Sequence, residues 1–297
     1  MKENYMLYTI KSDSMTYTIS PLGAEVQSAK DTQGFEYIWQ GGEVWDGHAP
    51  VLFPLCGRLK DNLYTYGGKQ YSMKCHGIFP TSTPEAVSVQ DSKITFRLSD
   101  SEATVTQYPF PFSLTLTYEA KGRMLSVSAL IENKGKTAMP FMYGGHPAIN
   151  VPLDEGLSFE DYKIDLGRDE IFINPLTPGI PYVNPKAESF PLPYGEYTLS
   201  ERDIAEKDTL VLSGIPHIAR LYSPKGKRSV VLRFDDAFKY ICLWKMPTPD
   251  AKYICIEPWS GIPQDGIVDE VLETRPSMIW LEAGESTILS YSLEFLA

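Results

Sequence analysis

Two short segments, more than a hundred residues apart, each hold one proton-carrying side chain among Gly, Pro and aromatic neighbours. They read Tyr143-Gly144-Gly145-His146-Pro147 and Cys255-Ile256-Glu257-Pro258-Trp259-Ser260-Gly261. A histidine and a carboxylate can serve one substrate as general acid and general base when the fold brings them to it. Histidine suits the acid because its ordinary pKa of about 6.5 leaves both forms accessible near neutrality. A carboxylate suits the base, and burial beside Trp259 would move its pKa up toward the working range. Trp and Tyr nearby suit a sugar, whose faces are apolar and whose edges are hydroxyls. On residue type alone, His146 could equally bond a turn, and Glu257 could be a surface carboxylate at a strand end.

If the pair works on one hexose, the two side chains are expected to face each other across it, roughly 5–8 Å apart, by analogy with paired carboxylates flanking a glycosidic bond. Gly144 and Gly145 are expected to let a substrate approach the backbone closely. Pro258, which lacks a donor N–H, is expected to put Glu257 at a strand end facing a cleft.

The elements that must position these residues read as strands. Phe112–Tyr118 alternates apolar and polar residues, and Met124–Ile131 follows a Lys121-Gly122-Arg123 turn, a hairpin pattern. Further strands are expected over Arg228–Phe234, Phe238–Trp244, Lys252–Glu257 and Thr287–Phe295. Helical periodicity is hard to find, and 23 prolines with 22 glycines break the chain into short extended pieces. Asn174 to Leu199 has no clear period and reads as a long irregular surface connection. Strand-like segments of similar character flank it, so residues 1–297 are expected to form a single all-β domain of two large antiparallel sheets packed face to face.

Composition narrows the partners. The 297 residues carry 38 acids against 27 bases, a formal charge of −11, which disfavours nucleic acid and anionic membrane surfaces. No apolar run approaches the roughly 20 residues of a transmembrane helix, and the first ten residues lack a signal-peptide pattern. The four cysteines, Cys56, Cys75, Cys242 and Cys255, contain no CxxC pair, so no zinc site is indicated. Cys242 and Cys255 lie in apolar strand-like runs and read as buried thiols of a reduced cytoplasm. A small-molecule partner and a cytoplasmic location are therefore expected, with the chain a monomer or homodimer.

Three further pieces occur in order with the two opening segments. They are Ile19-Ser20-Pro21-Leu22-Gly23-Ala24-Glu25, the run from His48 to Arg58 containing Pro50-Val51-Leu52-Phe53-Pro54, and Gly68-Lys69-Gln70-Tyr71 followed by His76-Gly77. Together they resemble the aldose 1-epimerase (galactose mutarotase-like) family, and most closely its LacX-like branch. The resemblance spans nearly the whole chain. It implies an antiparallel β-supersandwich with a sugar cleft, and mutarotation by ring opening and reclosure with no metal or organic cofactor. Carried onto this chain, Glu257 becomes the base and His146 the acid, while Arg58 and His76 bind sugar oxygens. Asp208, in Glu206-Lys207-Asp208-Thr209-Leu210, resembles by a looser match the aspartate that holds ring hydroxyls. Trp259 is the expected aromatic wall of the cleft, with Trp244 the alternative; His48 and His217 are expected to be structural or exposed. Without the resemblance, His76 could merely cap a loop, Arg58 could pair with a carboxylate such as Asp61, and Asp208 could form a local turn.

One departure stands out. The LacX-like branch follows "HG" with an aromatic-small-Arg run, where this chain has Ile78-Phe79-Pro80. The leading reading is an aldose 1-epimerase acting on a free hexose. A hexose-6-phosphate 1-epimerase would need cations converging at one end of the cleft, for which Arg58, Lys60 and Lys74 are available. A carbohydrate-binding module without turnover, on the same fold, is the third reading.

Overall fold

The structure, a computed structural model, describes residues 5–176, 182–184, 186–263, 270–275 and 277–297. Two large sheets dominate it. The first has nine strands, running Glu196–Thr198, Lys163–Asp165, Ile218–Tyr222, Ser229–Phe234, Ser286–Leu296, Met124–Asn133, Phe112–Lys121, Lys93–Ser99 and Glu85–Val89. Its middle is the expected hairpin, with Met124 opposite Lys121 across Gly122 at φ 54°. Burial alternates residue by residue along Met124–Asn133 because one face packs inward and the other meets water.

The second sheet has eight strands: Glu188–Pro191, Glu170–Asn174, Thr209–Ser213, Tyr240–Trp244, Tyr253–Trp259, Gly144–Gly145 and Val51–Leu52 in a row, with Ala148–Asn150 pairing Tyr253–Trp259 further along. Every pairing between these strands is antiparallel. Leu210, Leu212, Ile241, Leu243, Ile254 and Ile256 point from it into the core shared with Leu289, Leu293 and Leu125 of the first sheet. Tyr253–Trp259 is buried at all seven positions, since loops and side chains cover its outer face as well. The chain is thus all-β, with two large antiparallel sheets as its period-two patterning predicts and the β-supersandwich architecture that the family resemblance implies.

Two expectations need correction. Asn174–Leu199 is not irregular throughout: Glu188–Pro191 and Glu196–Thr198 are edge strands, one on each large sheet, so the segment stitches the two edges together. Its Pro-rich composition hid them because edge strands tolerate proline where a central strand does not; residues 177–181 and 185 of this span lie outside the described residues. Helix is also present, in Glu102–Val105 and Glu201–Lys207, each opened by a serine whose side chain accepts a backbone N–H.

Gly144 and Gly145 serve packing and not substrate approach. A Cβ on Gly145 would lie 2.5 Å from the Tyr291 hydroxyl of the facing sheet, and one on Gly144 would lie 3.0 Å from Trp259 Cδ1. At Gly77, φ is +83° and a Cβ would lie 2.3 Å from the Phe53 carbonyl oxygen. Gly145→Ala and Gly77→Ala should each cost about 2–3 kcal/mol in urea unfolding, through overpacking and, for Gly77, left-handed strain. Gly284→Ala, at φ +79° with open space around it, should cost about 1 kcal/mol. Equal midpoint shifts for all three would show that close packing is not what these positions require.

Candidate active site

The ladder beside Tyr253–Trp259 is broken. Gly144 pairs with Trp259 and Ala148 with Cys255; between these points Pro147 O still accepts from Ile256 N–H at 3.3 Å, but neither Pro147 nor Pro258 has an N–H to give and no bridge forms. His146 N–H turns instead to Pro50 O at 3.0 Å. Pro258 fits in a central strand because its missing N–H falls in this gap. It does not end the strand, which continues to Trp259. Carrying the register through the break sets His146 directly opposite Glu257, on one face, at the spacing of a cross-strand pair.

The side chains meet there. His146 Nε2 lies 3.3 Å from Glu257 Oε1, and Trp259 Nε1–H donates to Glu257 Oε2 at 3.0 Å. The 5–8 Å expectation was too wide. The pyranose ring oxygen and the anomeric oxygen are both bonded to C1, so an acid and a base serving them belong side by side, not across a ring.

The pair lines a cleft of about 590 Å³, within the usual size for a small-molecule site. Arg58, His76, Asp208 and Trp259 line the same cleft, so all six residues singled out from the sequence converge there. Its floor is the outer face of the second sheet: Thr209, Val211, Trp244, Glu257 and Trp259 all project from that face. Trp244 does line it. Trp45 was missed, because it sits in a loop with no periodicity to mark it; its ring lies over His146 at 5.3 Å between centroids, tilted 31°. His48 and His217 are elsewhere, bonded to Trp39 O and Asp236.

Two loops carry His76 and Arg58. Gly67 and Gly68, both at positive φ, turn the hairpin of Leu63–Tyr66 and Lys69–Ser72 that leads to His76. His76 N–H donates to Gly57 O at 2.8 Å, and Gly57 N–H donates to His76 Nδ1 at 3.1 Å. That second bond fixes the neutral tautomer with its proton on Nε2. Burial, then the nearby His146 and Arg58, hold the His76 pKa well below 6.5. His76 (φ 66°) and Asp208 (φ 59°, ψ −67°) both sit in sparsely populated backbone regions, the kind that concentrate at binding sites. Arg58 lies against the Cys75 thiol, whose pKa burial pushes up to about 11.

Burial also drives the central pair away from charge. It raises the Glu257 pKa well above 4.5, against the opposing Trp259 bond, and lowers His146 to about 4. His146 Nδ1 has no hydrogen-bond partner among the described residues. His146, Cys255 and Glu257 bring three donor atoms within 4.8 Å, close enough for a metal ion. Burial and the adjacent Glu257 hold the Cys255 thiol protonated, whereas a metal needs the thiolate, so the chemistry of this set favours proton transfer.

A profile of the aldose 1-epimerase family matches residues 6–294. The chain belongs to the aldose 1-epimerase family. The structure is similar to that of a galactose mutarotase related enzyme from Lactobacillus acidophilus, at TM-score 0.91 and 32% identity over 98% of each chain. It is also similar to a galactose mutarotase-like protein from Lactobacillus casei, at TM-score 0.89 and 29% identity over 98% of this chain and 100% of that one. The LacX protein of a Lactococcus lactis plasmid is 27% identical over 308 aligned positions, covering 98% of this chain and all of LacX. Membership of this family makes the chain a sugar isomerase of the epimerase kind. No described helix is long and apolar enough to cross a membrane.

The raised Glu257 pKa makes a stability prediction. Above 4.5 the unfolded chain ionises this glutamate while the folded one resists, so wild-type stability falls as pH rises toward the folded pKa. Glu257→Gln lacks that loss. Its stability relative to wild type should grow from pH 4.5 upward by as much as about 1.4 kcal/mol per pH unit, then level off. Paired urea titrations across pH check this, and a difference that stays constant with pH would mean Glu257 is not held neutral by burial.

Proposed function

We propose that the chain, acting as one domain, interconverts the α and β anomers of a free hexose by general acid–base catalysis. The observation that carries the reading is the buried His146–Glu257 contact, 3.3 Å long, on the wall of a sugar-sized cleft. The pair handles one proton in each direction. The neutral resting pair becomes reactive when the Glu257 proton passes to His146 across their 3.3 Å contact. The Glu257 carboxylate then takes the proton of the anomeric hydroxyl as the His146 imidazolium gives one to the ring oxygen, and the C1–O5 bond breaks to leave an open-chain aldehyde. Rotation about C1–C2 presents the other face of the carbonyl. Reclosure then reverses both transfers, returning Glu257 and His146 to their starting forms.

The remaining residues hold the ring. His76, neutral, offers its Nε2–H to a sugar oxygen, Arg58 offers charged donors and Asp208 accepts from hydroxyls. Trp45, Trp244 and Trp259 provide apolar walls. Each proton transfer is worth about 10²–10⁴-fold. Glu257→Gln and His146→Asn should each slow anomer exchange by about 10² or more, with sugar affinity largely kept. The double variant should lose little beyond the worse single one, because both groups serve one transition state. Polarimetry or NMR exchange spectroscopy reads this directly. Near wild-type exchange in both single variants would favour a binding module without turnover.

Substrate charge follows from the cleft wall. Arg58 is the only Lys or Arg among the described residues lining it, while Lys60 and Lys74 are exposed and do not line it. Pro80 lines the cleft at the position where the resembled branch carries its arginine. A phosphate dianion entering there would lose hydration with few charge-assisted bonds in return. Free galactose or glucose should therefore be turned over at least about ten times more efficiently than its 6-phosphate, since one unmatched charge-assisted bond is worth a factor of ten or more. Comparing kcat/KM at fixed pH and ionic strength decides the point, and a preference for the phosphate would reverse the assignment.

A further inference from the structure

We propose that Trp259 is a positioning residue for the base: its indole N–H holds Glu257 Oε2, so that Oε1, beside His146, is the one oxygen that exchanges protons. The inference rests on the acid–base reading above and deepens it. It also changes the role expected of Trp259, whose polar end is bound to Glu257 and is not free for a sugar.

The geometry begins with strand periodicity. Glu257 and Trp259 are two residues apart on Tyr253–Trp259, so both side chains leave the same face of the sheet. The N–H···Oε2 bond is 3.0 Å long, and the Oε1 contact with His146 is 3.3 Å. The indole cannot easily swing away. Trp259 is 5% exposed, packs beside Gly144, and meets the His76 ring edge-on at 6.0 Å.

An indole N–H donates and cannot accept. A carbonyl oxygen accepts more strongly than a carboxyl O–H oxygen, so the bond to Oε2 favours placing the proton of a neutral Glu257 on Oε1, where His146 Nε2 lies 3.3 Å away. The two carboxylate oxygens become unequal: one is anchored and the other is free to react. A hydrogen bond to an ionised carboxylate is also stronger than one to a neutral carboxyl. The same bond thus favours the basic form, opposing the burial that disfavours it. A phenylalanine would fill the space and keep the packing but would do neither.

Trp259→Phe is the test, read by the pH profile of kcat/KM for anomer exchange and by a ¹³C NMR titration of the Glu257 carboxyl, assigned with Glu257→Gln. The rising limb and the NMR titration should both move up by about one pH unit, the order expected for losing one bond to a charged group. At a fixed pH below the limb, kcat/KM should fall about tenfold through kcat, with KM little changed. Trp244→Phe, which alters another aromatic of the same wall, should leave the Glu257 titration in place. Restoring a ring donor with Trp259→His should return the limb part of the way. An unmoved Glu257 titration in Trp259→Phe, or a loss confined to KM, would overturn the proposal and leave Trp259 a sugar-stacking surface. Should Trp259→Phe not fold, protein labelled with fluorotryptophan, a more acidic donor, should show a lower limb, and no shift there would likewise overturn it. If wild type exchanges no sugar tested yet the NMR shift appears, the catalytic reading fails while the anchoring of Glu257 stands.

Discussion

The contact between His146 and Glu257 is the constraint to which the rest of the structure answers. An imidazole and a carboxyl in contact, both nearly removed from water, are unfavourable to bury as separate charges. They remain there because register, strand breakage and packing leave them no other place. Two prolines, Pro147 and Pro258, fall on either side of one gap in the ladder, where neither needs to donate. Two glycines let the broken strand lie tight against Tyr291 of the facing sheet and against Trp259. A residue with a side chain at Gly145 would push the strand outward and His146 with it.

The supersandwich contributes stiffness on one side and freedom on the other. Ile254 and Ile256 are locked into the shared core, so the alternate residues Cys255, Glu257 and Trp259 have fixed positions on the opposite face. That face carries its own small apolar cluster, in which Ala148, Tyr253 and Cys255 meet Trp45, Trp244 and Met246. The floor of the cleft is therefore made by strands, which hold geometry well, while loops supply Arg58, His76 and Trp45. His76 and Asp208 sit in unusual backbone conformations, and in each case the neighbouring bonding pattern accounts for it: the Gly57 contacts at His76, and the Ile204 carbonyl closing the helix end at Asp208.

Much of this was legible in the residues, and the parts that were not have definite reasons. The long strands were readable where one face is wet, as in Met124–Asn133, because alternation survives there. Tyr253–Trp259, buried on both faces, shows no alternation, and its true end beyond Pro258 was hidden by the rule that proline leaves central strands. The convergence of His146, Glu257, Arg58, His76 and Asp208 could be expected only from ordered motifs resembling a family, since periodicity says nothing about which distant segments become neighbours. The side-by-side geometry could have been reasoned from the proposed pyranose substrate, in which the two oxygens that would react share a carbon. The Trp259 bond and the Trp45 ring over His146 needed coordinates, because they depend on rotamers and on a loop without a pattern.

Electrostatically, the site is quieter than the chain around it. The molecule carries a formal charge of −11, yet His76 is held neutral by burial, the Gly57 bond and the nearby Arg58, and burial steers both members of the central pair toward their uncharged forms. A cleft so arranged gains little from a charged ligand and much from one that offers hydroxyls to fixed donors and acceptors and an apolar face to indoles. It also suits a reaction whose net proton change is zero. One proton enters the pair as another leaves, so the reactive carboxylate and imidazolium, adjacent and opposite in charge, both become neutral as the ring opens.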